Sequence, residues 1–182
     1  DEAVRRFTQV AHSLDSTQHR DQYEVATRLA EAHLALGDTA RAEHELMAAE
    51  DALDRWRATL DDREIRVLAF QYKSKVGRPD PGVAKVIAAV ARTGRVGDAL
   101  ELAERRRARD LADRLATSGS VSPWSASANT LETVQRALPD DTTALLEYVT
   151  GPADAPTTLF AITRRAAHAY TLAPGDSVTD DI

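Results

Sequence analysis

Cysteine is absent from the 182 residues. Its absence excludes a disulfide framework, a thiolate metal site and a cysteine nucleophile within them, and it fits a reducing cytoplasm. Aromatic residues make up only 5%, so any core must be built mainly from alanine and leucine, which suits closely packed helices. Long apolar runs are missing too. The longest, Val86 to Ala91, falls far short of the roughly 20 residues that cross a bilayer, and no basic segment followed by an apolar stretch marks a signal peptide. Positive charge is in deficit, with 23 Lys and Arg against 29 Asp and Glu, for a net charge of -6. Bulk attraction to nucleic acid or to an anionic membrane is therefore disfavoured. The expected location is cytoplasmic, with neither nucleic acid nor membrane as partner. The first residue is Asp1 and the last four are Thr179-Asp180-Asp181-Ile182, and both ends read as cut from something longer.

What is present is helical periodicity. Tyr23 to Leu53 reads as two helices, the first with Ala26, Leu29, Ala30, His33 and Leu34 on one stripe, the second with Ala42, Leu46, Ala49 and Leu53. Gly37 suits the left-handed position that ends a helix, and Asp38 the cap of the next. Residues 80–115 repeat this plan. Val83, Val86, Ile87 and Val90 form a stripe, Gly94 breaks it, and Val96, Ala99, Leu100, Ala103, Leu111 and Leu115 form the next. An alanine stands five residues after each turn glycine (Ala42 and Ala99), where a small side chain lets antiparallel helices approach. Residues 54–75 contain neither proline nor glycine. They continue as helix with a break near Asp61-Asp62, and residues 2–14 read as one more helix, giving about six helices by residue 116.

Residues 117–129 lose all periodicity and form a serine-rich linker. Thr130 then caps a short helix over 131–138, and Pro139-Asp140-Asp141 turns the chain. Beyond it the pattern switches to β-type runs at 144–150, 157–163 and 167–172, joined by a hairpin-like connection at 151–156 and a tight one at Arg164-Arg165. Three strands alone leave an open edge. They imply a sheet that continues beyond Ile182 or an edge covered by another chain, and self-association or partner pairing through that edge is expected. The fold class is thus mostly α: a helical-repeat array over 1–116, the linker over 117–129, and over 130–182 a short helix with about three strands of an incomplete α/β domain.

Chemistry-bearing clusters are few. His33 and His44 could approach a metal, but the turn at Gly37-Asp38 puts them on opposed helices without carboxylate partners, and no metal or cofactor is expected. The acidic pairs Glu50-Asp51 and Asp61-Asp62 read as solvated helix surface. Arg105-Arg106-Arg107 with Arg109 has Glu101, Glu104, Asp110 and Asp113 to pair with and no aromatic platform, which describes a salt-bridged helix or one docking a second domain. Gly94-Arg95-Val96-Gly97 follows a helix rather than a strand, so it is a turn and not a phosphate loop.

The segment Leu29 to Ala49, L-A-x-x-H-L-x-x-G-D-x-x-x-A-x-x-x-L-x-x-A, resembles the tetratricopeptide repeat. Residues 99–115, ALELAERRRARDLADRL, then 131–139, 143–149, 159–164 and 169–172 resemble the junction helix, short helix and opening strands of the CHAT family, in which a caspase-like domain follows such repeats. The resemblance implies a bacterial-type signalling scaffold binding a protein or peptide partner. By repeat analogy Thr27, Glu31, Leu34, Ala35, Ala84, Ala88 and Arg92 would line the partner groove. Arg106, Arg107, Arg109 and Asp113 would sit at the interdomain junction. Active members of that family use a His-Gly motif and a later Cys. His168 here is followed by Ala169 and no Cys exists, so no catalytic residue is assigned. The expected function is a scaffold that recruits or regulates a C-terminal CHAT domain. Two alternatives stay open: the regulatory half of a caspase-like cysteine peptidase whose His/Cys dyad lies downstream, and a helical-repeat segment of a signalling or transcription regulator.

Overall fold

The computed structural model describes residues 2–59, 81–117, 129–151 and 155–174. Compactness divides the chain into two units, 1–72 and 73–182. Unit 1 contains α1 (Glu2–Ser13), α2 (His19–Ala35) and α3 (Thr39–Ala58). The expected helix beyond Asp61-Asp62 and residues 118–128 of the serine-rich linker lie outside the described residues, while Thr117 ends a helix and Asn129 is bonded to Glu104.

In unit 1 the turn chemistry works as its residues dictate. Gly37 takes a positive φ of 78°. The Asp38 N–H then reaches the His33 carbonyl at 2.9 Å and the Gly37 N–H the Leu34 carbonyl at 2.9 Å, the doubly bonded C-terminal cap that a left-handed residue makes available. Asp38 at once begins the next helix, its Oδ1 accepting from the Arg41 N–H at 3.1 Å. The reversal lays α2 against α3. Alanines make the close approach, with Ala42 and Ala49 both at 0% exposure, and Leu29 and Leu46 fill the remaining space. At the far end Tyr23, Ala26, Ala49, Ala52 and Leu53 form one cluster, with Trp56 packed against it. α1 lies on α2 yet buries none of its residues fully.

A Cβ added to Gly37 would meet nothing within 4 Å, so the cost of Gly37→Ala is purely that of the left-handed backbone. It is expected to destabilise unit 1 by about 1–2 kcal/mol, read as a lower thermal midpoint with an unchanged helical spectrum.

Unit 2 contains α4 (Pro81–Arg92), α5 (Val96–Thr117), α6 (Leu131–Ala137) and the strands β1 (Leu145–Val149), β2 (Pro156–Ile162) and β3 (Ala167–Pro174). The sheet is antiparallel in the order β1-β2-β3, with β1 and β3 as its edges. Gly94, at φ 85°, turns α4 into α5 as Gly37 turns α2 into α3. Apart from Lys85 and the terminal Arg92, α4 is apolar around its circumference, with Val83, Ala84, Val86, Ile87, Ala88, Ala89, Val90 and Ala91 all buried. Such a helix needs cover almost all round, and it finds it between α5 and the strands β2 and β3. Compactness thus places the second helical hairpin with the strands, whereas the sequence division at residue 116 separates them. The overall class stands as read: a mostly helical chain with a small three-stranded sheet.

Thr130 caps α6 through its side chain, which accepts from the Thr133 N–H. Asp140 ties the following turn, accepting from the Thr142 N–H at 2.9 Å and from the Thr142 and Thr143 hydroxyls. Those donors hold its carboxyl below the usual range, the Thr142 hydroxyl contributing most. Arg164, in the β2–β3 turn, donates to the Leu138 and Pro139 carbonyls at 2.9 and 3.0 Å, and Arg165 pairs with Asp141.

Candidate functional site

Strand parity decides which side chains of β1 turn inward. Leu145, Glu147 and Val149 stand opposite Ile162, Phe160 and Thr158 of β2, and these face Ala167, Ala169 and Thr171 of β3. This face carries the buried Phe160, Ile162 and Thr158. Amid it sits one acid, Glu147, whose side chain is 2% exposed. The opposite face carries Leu146, Tyr148, Tyr170 and Leu172, all exposed.

Helix α5 supplies the partners of Glu147. Arg107 forks between two carboxylates, Nη1 to Glu104 Oε1 at 3.1 Å and Nη2 to Glu147 Oε1 at 2.8 Å. Asn129 donates to the other Glu104 oxygen at 2.7 Å. Glu104 is itself buried, with its side chain 8% exposed. The Arg107–Glu147 contact is an ion pair without hydrogen-bond alignment, because Glu147 Oε1 has no hydrogen-bond partner. Thr158 Oγ1, on the same sheet face, also has none.

Among the described residues, two buried carboxylates thus share the Arg107 guanidinium, whose single charge cannot balance both. Burial pushes the Glu147 carboxyl up to about 7 from 4.5. Arg107 opposes the rise, while the charge of Glu104, and a hydrogen bond to it that only a protonated carboxyl can make, add to it. A carboxyl raised on folding stabilises most when protonated. Unit 2 is therefore expected to lose stability as pH rises from about 4.5 to about 7 and to change little beyond, by on the order of 2–3 kcal/mol from this group.

Perturbed carboxyls often mark functional sites, and a carboxylate pair suggests acid–base work. Here both acids are buried, with side chains 8% and 2% exposed, and through Arg107 the arrangement joins α5 to β1. Among the described residues no group of three or more His, Asp or Glu could hold a metal. His33 is buried and His44 exposed.

Of the residues singled out by sequence, Arg107 joins α5 to β1 and Arg106 is half-buried beside it. The side chains of Arg109 and Asp113 lie outside the described residues. The groove positions divide between the units. Thr27 is buried, its hydroxyl donating to the Tyr23 carbonyl at 2.8 Å. Ala84 and Ala88 are buried at 1% and 0%. These three have no surface to offer a partner, because helix packing has consumed it. Glu31 and Leu34 are half-exposed, and Ala35 and Arg92 are exposed.

The sequence pattern marks Glu104 as a pairing partner of the arginine run, as the structure bears out for Arg107, but it gives no role to Glu147. The signal was an acid at an alternate position with Leu145 and Val149, where an apolar residue is the rule. Among the described residues no helix is long and apolar enough to cross a membrane. Compared with family models, curated proteins and solved structures, the chain matches none.

Proposed function

We propose that the chain is a non-catalytic, protein-binding helical-repeat scaffold that recruits or regulates a CHAT (caspase-like) domain, with β1–β3 as that domain's opening strands. The observation that carries this reading is the Arg107 fork. It ties the helix whose sequence resembles the family's junction to the first strand, so a load on α5 has a direct link to the sheet. Two glycine-turned, alanine-packed hairpins support the repeat part of the reading. Glu31, Leu34 and Ala35 in unit 1 are open to a partner, as is Arg92 in unit 2.

The test is titration of the isotopically labelled chain with a separately expressed CHAT domain. Resonance shifts in α5 and β1–β3 that weaken in Arg107→Ala would support the scaffold, and absence of binding at high micromolar concentration would overturn it. A change in that domain's peptide hydrolysis on adding the chain would favour the regulatory role. The chain by itself is expected to hydrolyse no peptide, and protease activity in the purified protein would sink the non-catalytic reading.

The same reading expects a second copy to pair through the strand edges, next to the exposed Tyr148 and Tyr170. Light scattering should then show a mass rising with concentration above the 19.8 kDa of one chain. A mass fixed at that value at high concentration argues against pairing.

A further inference from the structure

We propose that a single proton, held between the Glu104 and Glu147 carboxyls beneath Arg107, is a latch that fixes α5 to β1, closed when the proton is bound and weakened when it leaves. The ground for it is the crowding of charge. One guanidinium serves two buried carboxylates, and Glu147 Oε1 has no hydrogen-bond partner. A proton on Glu147 removes one of the two crowded negative charges and gives that carboxyl a donor directed at Glu104, with Asn129 holding the far Glu104 oxygen in place. No covalent step is involved; the proton exchanges with water.

The charges acting on Glu147 come from α5, namely Arg107 and Glu104. The inner-face residues opposite it on β2 (Thr158, Phe160, Ile162) and beyond on β3 (Ala167, Ala169, Thr171) carry no titratable group. α4, which covers β2 and β3, carries Lys85 and Arg92, and neither is among the causes of the raised carboxyl. Among the described residues the latch is therefore set by Glu104, Arg107 and Glu147; removing Glu147 should abolish it, and removing the Glu104 charge should weaken it, since burial is the larger cause. It closes on the acid side of neutrality and opens across it, within the range a cell can reach.

The experiment is a side-chain carboxyl titration of the full 182-residue chain by nuclear magnetic resonance, with Glu147→Gln identifying the Glu147 signal. The expected midpoint for Glu147 lies near 7. Glu104→Gln, which keeps the shape and removes the neighbouring charge, should lower that midpoint by about one unit or more. Thermal midpoints supply the second readout. They should fall between pH 5 and pH 8 in the parent chain, and that part of the fall should be absent in Glu147→Gln, whose amide cannot lose a proton. An ordinary carboxylate midpoint for Glu147, or parallel midpoint–pH curves for the parent chain and Glu147→Gln, overturns the latch. Should Glu147→Gln not fold, the Glu104→Gln shift decides the matter alone, a midpoint that stays put counting against the proposal.

Discussion

Truncating Phe160 to alanine is expected to destabilise unit 2 by about 3–5 kcal/mol, the usual range for removing a fully buried aromatic ring. Phe160 is at 0% exposure in the middle of the central strand, opposite Glu147 on one side and Ala169 on the other. Neither neighbour can collapse into the space: an alanine has no reach, and an acid tethered to Arg107 cannot move without losing its counter-charge. The cavity would also open a path for water to Glu147. Denaturant unfolding of the full chain, followed by hydrogen exchange at β2 amides, should show the loss in unit 2. Phe160→Leu should recover more than half of it by filling most of the volume. A loss under about 1 kcal/mol would mean that the sheet's inner face is not tightly packed.

Replacing Arg107 with alanine is expected to cost about 1–3 kcal/mol at pH 8 and clearly less at pH 5. Removing one partner of a buried ion pair leaves an uncompensated charge, and that penalty, rather than the lost attraction, dominates. The figure stays below the upper end for buried pairs because the Arg107 side chain is 52% exposed and water screens part of its charge. At pH 8 the variant leaves Glu104 and Glu147 facing each other as anions under the sheet. At pH 5 a proton on Glu147 relieves that repulsion, so the penalty shrinks. Lysine should rescue only part of the loss, since an ammonium cannot reach two carboxylates with a planar fork. Urea midpoints at the two pH values provide the check. A loss equal at both would assign Arg107 a packing role through its aliphatic stem and no electrostatic one.

Much of the local structure could be read from residue order. Gly37 and Gly94 end their helices because a left-handed turn needs a residue without Cβ, and the neighbouring Asp38 begins the next helix through its own side chain. Thr130 caps α6, and the three strands fall where β-branched and aromatic residues cluster between turn residues. Each of these is decided within a few positions of itself, so one sequence suffices.

The partner-groove assignment fared differently. Thr27, Ala84 and Ala88 were placed on a partner-facing surface by counting along repeats, and all three are buried. For α4 the warning was present: a helix apolar almost all round must be covered almost all round. What covers it, two strands more than 60 residues further along, leaves no local trace. The CHAT resemblance remains the source of the proposed function, and the Arg107 fork is what gives that proposal a physical route.

By itself, then, the sequence determined the helices, their glycine turns, the strands and the absence of thiol chemistry, because propensity, capping and periodicity act over a few residues. Only the tertiary structure decided that the second hairpin packs with the sheet, and that Arg107 meets both Glu104 and Glu147. Those outcomes depend on strand register and on burial by distant segments, where a one-residue slip would turn Glu147 out to water. The latch therefore exists only once α5 and β1 are packed together.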